Sequence, residues 1–183
     1  LLILSTTSGK LIENQKSYSF TINQINIEGL SNHDNKKIFN ELNNLFYKNI
    51  LLIGRKEIQK VISKYNIIEE YSVKKIYPST ISINIEPTKF VARLSGNNHL
   101  VGTNGKLIDD KENNEILPYI FGEFNSLNFL NFKRNITQSK FNFTNFKTLY
   151  FFPSNRWDIL TYDDVLIKLP QANILKSLNL AYK

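Results

Sequence analysis

The sequence predicts an α+β protein of two modules. A strand-helix-helix-strand-strand unit, with both helices on one face of a small sheet, precedes a mostly antiparallel β domain that ends in a helix. Three observations carry this. Apolar residues recur at helical spacing in two segments between residues 34 and 65. They alternate with period two in the runs on either side. From Phe90 onward helical spacing fades, and short apolar runs separated by Gly, Asn and Asp take over.

In FTINQINIEGL, residues 20–30, Ile22, Ile25 and Ile27 make a strand that ends in a turn at Gly29. Asp34 is then expected to cap a helix whose apolar stripe is Ile38, Leu42, Leu45 and Phe46. The connector NILLIG, residues 49–54, leads to a second amphipathic helix over Arg55–Tyr65. There Ile58, Val61, Ile62 and Tyr65 fall at i, i+3, i+4 and i+7. EEYSVKKIY is a strand, Pro78 presets the backbone for the turn Tyr77-Pro78-Ser79-Thr80, and Ile81, Ile83 and Ile85 alternate with polar residues. Pro87 has no amide hydrogen and closes that strand.

The second module reads as strands at Phe90 to Leu94, His99 to Gly102 and Lys106 to Asp109, with Asn104-Gly105 as a hairpin turn. EILPYIFGE, residues 115–123, is an apolar run closed by Gly122. Within residues 124–146 a short helix through Leu127, Leu130 and Arg134 is expected. TLYFF, RWDILTY and VLIKL, at 148–152, 156–162 and 165–169, are strands, the last two joined at Asp163-Asp164. A final helix presents Ile174, Leu175, Leu178 and Ala181 on its apolar side.

Composition narrows the function. With 183 residues and 42% hydrophobic content, two small domains are affordable. No cysteine is present, so disulfides, thiolate zinc sites and cysteine nucleophiles are excluded. The net charge of +7 is spread over lysine pairs rather than gathered into a groove, which disfavours nucleic acid and points to a solvated surface. His33 and His99 lie far apart in sequence, and no HExxH, GxSxG, GxxxxGK[ST] or GxGxxG pattern occurs, so no metal, cofactor or catalytic residue is assigned. The carboxylate pairs Glu69-Glu70, Asp109-Asp110 and Asp163-Asp164 suit strand faces and turns better than acid-base work. A small carboxylate-dependent hydrolase is the enzymatic alternative. Leu1 to Leu4 are too few to span a bilayer, which needs about 20 apolar residues. They are either the exit end of an upstream membrane segment or a frayed extension, and residues 5–19 suit a linker.

The order of motifs resembles a POTRA module joined to the β domain of the bacterial cell division protein family FtsQ, called DivIB in Gram-positive bacteria. The matching residues are IEGL at 27–30 with Gly29, NILLIG at 49–54, and YPSTISINIEPTKFVARL with Tyr77, Pro78, Glu86 and Ala92-Arg93. LVGTNGKLID at 100–109, LPYIFG at 117–122 with Pro118 and Gly122, and RWDILTYDDVLIKLP at 156–170 follow in order. Pro87 falls earlier than the family's proline, and Gly102 replaces a usual aspartate.

The resemblance implies a POTRA domain at 20–89 and an FtsQ-type β domain at 90–183, truncated at its C-terminus, with 1–19 as the end of a transmembrane helix and a linker. It implies a single-pass inner-membrane protein with these domains in the periplasm, acting at the division septum. It also implies a non-enzymatic scaffold that binds FtsB and FtsL, meets FtsW, FtsI and FtsK, and regulates septal peptidoglycan synthesis. Family members pair a β-domain strand with FtsB, and that strand is expected beyond Lys183. Within this chain the resemblance marks Arg156, Leu166 and Lys168 as partner-binding candidates. It marks Gly29, Tyr77, Pro78, Glu86, Arg93, Pro118, Gly122 and Trp157 as fold determinants. The alternative is a POTRA-bearing outer-membrane assembly or secretion protein, which calls for tandem modules that residues 90–183 do not repeat.

Overall fold

A computed structural model describes residues 20–97, 99–109, 113 and 115–182, so the expected membrane end and linker at 1–19 lie outside the described residues. Its first part comprises β1 (Gln24–Glu28), α1 (Asn32–Leu42), α2 (Arg55–Ile62), β2 (Ile68–Ile76) and β3 (Thr80–Pro87). The strand order is β1-β3-β2, with β1 parallel and β2 antiparallel to β3. Ile38, Leu42, Ile58 and Ile62 from the helices bury against Ile25, Ile81, Ile83 and Ile85 of the sheet. The period-two and helical stripes therefore meet in one core, as the sequence predicts.

Two local details differ from expectation. Ser31, not Asp34, caps α1. Its Oγ accepts from the Asp34 amide at 3.1 Å and donates to Asp34 Oδ2 at 2.8 Å, so Asp34 sits inside the first turn, where a negative charge suits the helix dipole. The stripe also outlasts the helix, since Leu45 is buried from a 3₁₀ turn at Asn43–Leu45. Gly29 leaves no room for a side chain: at φ +114° a Cβ would stand 1.7 Å from the Ile85 carbonyl oxygen.

The second part is a seven-stranded sheet over a helical layer. β4 (Phe90–Leu94), β5 (Leu100–Gly102), β6 (Leu107–Ile108), β7 (Tyr119–Phe121), β8 (Phe146–Phe151), β9 (Trp157–Thr161) and β10 (Leu166–Lys168) lie in the order β10-β9-β8-β7-β4-β5-β6. Most pairs are antiparallel, but β7 runs parallel to both its neighbours, β4 and β8. The sheet is therefore mixed.

α3 (Ser126–Gln138) is longer than expected and turned to another face. Phe129, Phe132 and Ile136 are buried, whereas Leu127 is exposed and Arg134 lies in solvent. The aromatic rings win because they fill the space above Trp157, which stacks on Phe132 with centroids 4.5 Å apart and meets Phe129 edge-on. α4 (Ile174–Ala181) adds Leu178 to this core, with Ile174 beside it.

The two parts meet at Thr88, which is almost fully buried. Its hydroxyl donates to Glu69 Oε2 at 2.6 Å, and Thr103 Oγ1 donates to the same oxygen at 2.9 Å. Asn104 Nδ2 reaches the Asn66 and Ile68 carbonyls, Asn66 Nδ2 donates to the Leu107 carbonyl, and the Thr103 amide bonds the Lys89 carbonyl. Lys133 of α3 donates to the Thr103 carbonyl at 2.8 Å and clamps the same loop.

On the surface of the first part, Glu41 accepts from Lys64 at 2.5 Å and from the Tyr65 hydroxyl at 2.8 Å. Those donors lower the Glu41 pKa, so its contribution is present above the usual carboxylate range and fades as pH falls through the lowered value. Burial, then the bond to Glu41, pushes the Tyr65 phenol up to about 12.

The folded state therefore holds the Tyr65 proton after the unfolded chain has released its own, and this contribution to stability declines as pH rises from about 10. Urea denaturation should show that Tyr65→Phe loses less stability than wild type between about pH 9 and pH 11; an equal loss would exclude the linkage. Gly29→Ala should cost about 3 kcal/mol in the same assay, from the forbidden backbone region and the clash with Ile85.

Candidate partner-binding site

Several of the described carboxylates are already engaged by neighbouring side chains. Glu69 is held by the two threonines, Asp164 pairs with Lys147, Asp34 with Lys37 and Asp158 with Arg156. Among the described residues no group of three or more His, Asp or Glu side chains could hold a metal ion. His33 and His99, distant in sequence, line one groove where the two parts meet, and the buried Nδ1 of His99 has no hydrogen-bond partner among the described residues.

The partner-binding candidates cluster at one edge of the large sheet. β10 pairs with β9 through Leu166↔Leu160, Ile167↔Ile159 and Lys168↔Asp158. The Thr161 amide donates to the Val165 carbonyl and the Leu169 amide to the Trp157 carbonyl, both at 3.1 Å. Residues 165 and 169 thus bond inward, and the period of two turns the backbone groups of Leu166 and Lys168 outward. Among the described residues no strand pairs with that side of β10. The opposite edge differs, because the side chain of Asn66 occupies the Leu107 carbonyl on β6.

Side chains extend the site from the edge onto the sheet. The pairings align Tyr119, Thr148, Leu160 and Leu166 in one row, and Phe121, Tyr150, Asp158 and Lys168 in the next on the same face. Ile120, Leu149, Ile159 and Ile167 point the other way, into the core. Leu166, Tyr119 and Phe121 are exposed, and Phe121 stacks on Tyr150 at 5.5 Å.

Arg156 is already engaged. Its Nε and Nη2 donate to the two oxygens of Asp158 at 3.1 and 3.2 Å, and its guanidinium lies over the Phe152 ring at 4.6 Å. Asp158 is only 3% exposed, so this pair satisfies a buried carboxylate.

The residues expected as fold determinants divide between crowded or buried positions and exposed ones. Gly122, at φ +100°, would direct a Cβ to 2.1 Å from the Phe151 carbonyl oxygen. Arg93 Nη2 donates to the Asn113 carbonyl, and the Arg93 amide to the Pro118 carbonyl, both at 2.9 Å. Trp157 is core. Tyr77 and Pro78, joined by a cis peptide bond, are exposed at the β2-β3 turn, and Glu86 is exposed directly across from Glu70.

Residues 20–86 match the family model described as POTRA domain, FtsQ-type, over the strand-helix-helix-strand-strand unit. The first module is an FtsQ-type POTRA domain. The match supports the resemblance to the FtsQ (DivIB) family and a role in cell division, within a family of scaffolds. No curated protein matches the chain. The POTRA domain is followed by the β-rich part and its C-terminal helix, the order the resemblance implies. No helix among the described residues is long and apolar enough to cross a membrane.

Replacing Arg156 with alanine should cost about 2 kcal/mol in urea denaturation, because Asp158 is left buried without its partner. The double change Arg156→Ala with Asp158→Asn should recover part of that loss. A neutral Arg156→Ala would show that water satisfies Asp158.

Proposed function

We propose that the chain is a non-enzymatic scaffold of the bacterial divisome, whose β domain binds FtsB and FtsL at the septum. The observation that carries this is the open edge of β10. Outward amides and carbonyls at Leu166 and Lys168 are a template for an added strand, and the half-apolar face beside them offers alternate side chains a place to rest. In this reading FtsB supplies the strand, Leu166 contributes apolar contact, and Lys168 faces an acidic side chain of the partner. Arg156 takes part through the face it shares with Asp158. A family strand following α4 would add at this same edge and move the pairing surface one strand outward.

The reading extends to the POTRA domain and to location. The POTRA domain directs the protein to the septum among FtsW, FtsI and FtsK, and an upstream helix holds the chain in the inner membrane with both domains in the periplasm. The scaffold then acts by positioning the peptidoglycan synthases.

The test is binding of the FtsB periplasmic segment to the 183-residue chain. Leu166→Pro removes an outward amide that β9 does not use, so circular dichroism should stay unchanged while affinity falls at least about tenfold. Undiminished binding would refute the edge as the site. Depletion in the source bacterium should give filamentous cells, and normal division on depletion would refute the divisome role.

A further inference from the structure

The POTRA domain carries an apolar patch that its own core does not use. Phe20, Tyr47, Leu51, Leu52, Ile76 and Tyr77 are all at least 40% exposed, with Tyr47 at 85% and Leu52 at 79%. The backbone gathers them. The Tyr47 amide bonds the Ile22 carbonyl, the Ile22 amide the Lys48 carbonyl, and the Ile50 amide the Phe20 carbonyl at 2.7 Å. The Phe20 ring meets Tyr77 edge-on at 6.4 Å, and Lys75 Nζ donates to the Ile53 carbonyl at 2.7 Å, tying the loop to the end of β2. β2 starts at the junction with the β domain and ends at this patch, about 25 Å away along an extended strand. The patch therefore tips the end of the molecule opposite the β domain.

Its chemistry selects the partner. A contiguous exposed apolar patch marks an interaction surface. Here five of the six lie in loops and turns, Ile76 being the last residue of β2, and two are tyrosines, whose rings favour the level of lipid headgroups. Lys48, Arg55, Lys56 and Lys75 border them, while the nearby carboxylate, Glu57, stands 3.9 Å from Lys48. Projecting apolar side chains ringed by cations complement an anionic lipid surface.

We propose that this end of the POTRA domain docks on the headgroup region of an anionic phospholipid bilayer, with Tyr47, Leu51 and Leu52 inserted and the cations over the lipid phosphates. The site is independent of what the β domain binds, since it lies on the other domain at the far end.

Co-sedimentation of the 183-residue chain with vesicles of phosphatidylglycerol and phosphatidylcholine, or of phosphatidylcholine alone, tests it. The chain should bind the anionic vesicles more tightly, and added salt should weaken that binding. Leu51→Ser with Leu52→Ser should weaken it about tenfold, with an unchanged thermal melt because both side chains are exposed. Arg55→Glu with Lys56→Glu should weaken it at least about tenfold on anionic vesicles only. Leu1 to Leu4 are present in every variant, so differences between variants report the patch. Wild-type binding by the Leu51/Leu52 variant, equal binding to both vesicle types, or no binding to either, as expected of a patch that docks a protein, would each overturn the proposal.

Discussion

The carboxylate of Glu69 is the point on which the two domains turn. It stands on β2 of the POTRA domain and accepts hydrogen bonds from the hydroxyls of Thr88, in the connector, and Thr103, in the β5-β6 turn of the β domain. Thr88 and Thr103 lie 3.0 Å apart, so three segments share one charge-assisted cluster. Around it the crowding is tight: a Cβ on Gly102 would approach the Thr88 hydroxyl to 2.7 Å. Such a joint resists sliding because each polar group in it has a partner that a shifted register would orphan. Thr88 is the buried member of the cluster and Glu69 its exposed one, so removing Glu69 takes from a buried hydroxyl the carboxylate it donates to, a larger loss than that of a surface bond.

That joint could not be seen in the sequence. Glu69, Thr88, Thr103 and Asn104 each look like ordinary strand or turn residues, and their meaning arises only from pairings that span tens of residues. The helices and strands of the POTRA domain were legible because Ile38, Leu42, Ile58, Ile62, Ile81, Ile83 and Ile85 obey periods set by backbone geometry. Ser31 was legible in principle, since its spacing from Asp34 is that of a capping box. The face of α3 was not, because residues 124–146 carry aromatic or aliphatic residues on more than one side, and only Trp157, far along the chain, decides between them.

The candidate site was half legible. Its position near the end of the β domain follows from the RWDILTY and VLIKL hairpin, and the hairpin forms as expected. Which edge stays open depends on β7, which inserts between β4 and β8 parallel to both and leaves the last hairpin on the outside. No local pattern announces that insertion. Arg156 shows the complementary difficulty, since a basic residue beside an aromatic reads as a surface contact until a buried aspartate two residues on claims it. The patch at the other end was hidden in NILLIG, whose aliphatic run passes for connector packing although Ile50 and Ile53 turn inward while Leu51 and Leu52 do not.

The hydrogen bond from Asn66 to the Leu107 carbonyl, small in itself, sets a valence. It stoppers the β6 end of the seven-stranded sheet with a side chain from the neighbouring domain, while the β10 end keeps its outward amides. A sheet with one stoppered margin and one open margin can be lengthened from a single side. A strand arriving at β10 finds a terminus, and a run of such chains cannot zip margin to margin through this sheet into a ribbon.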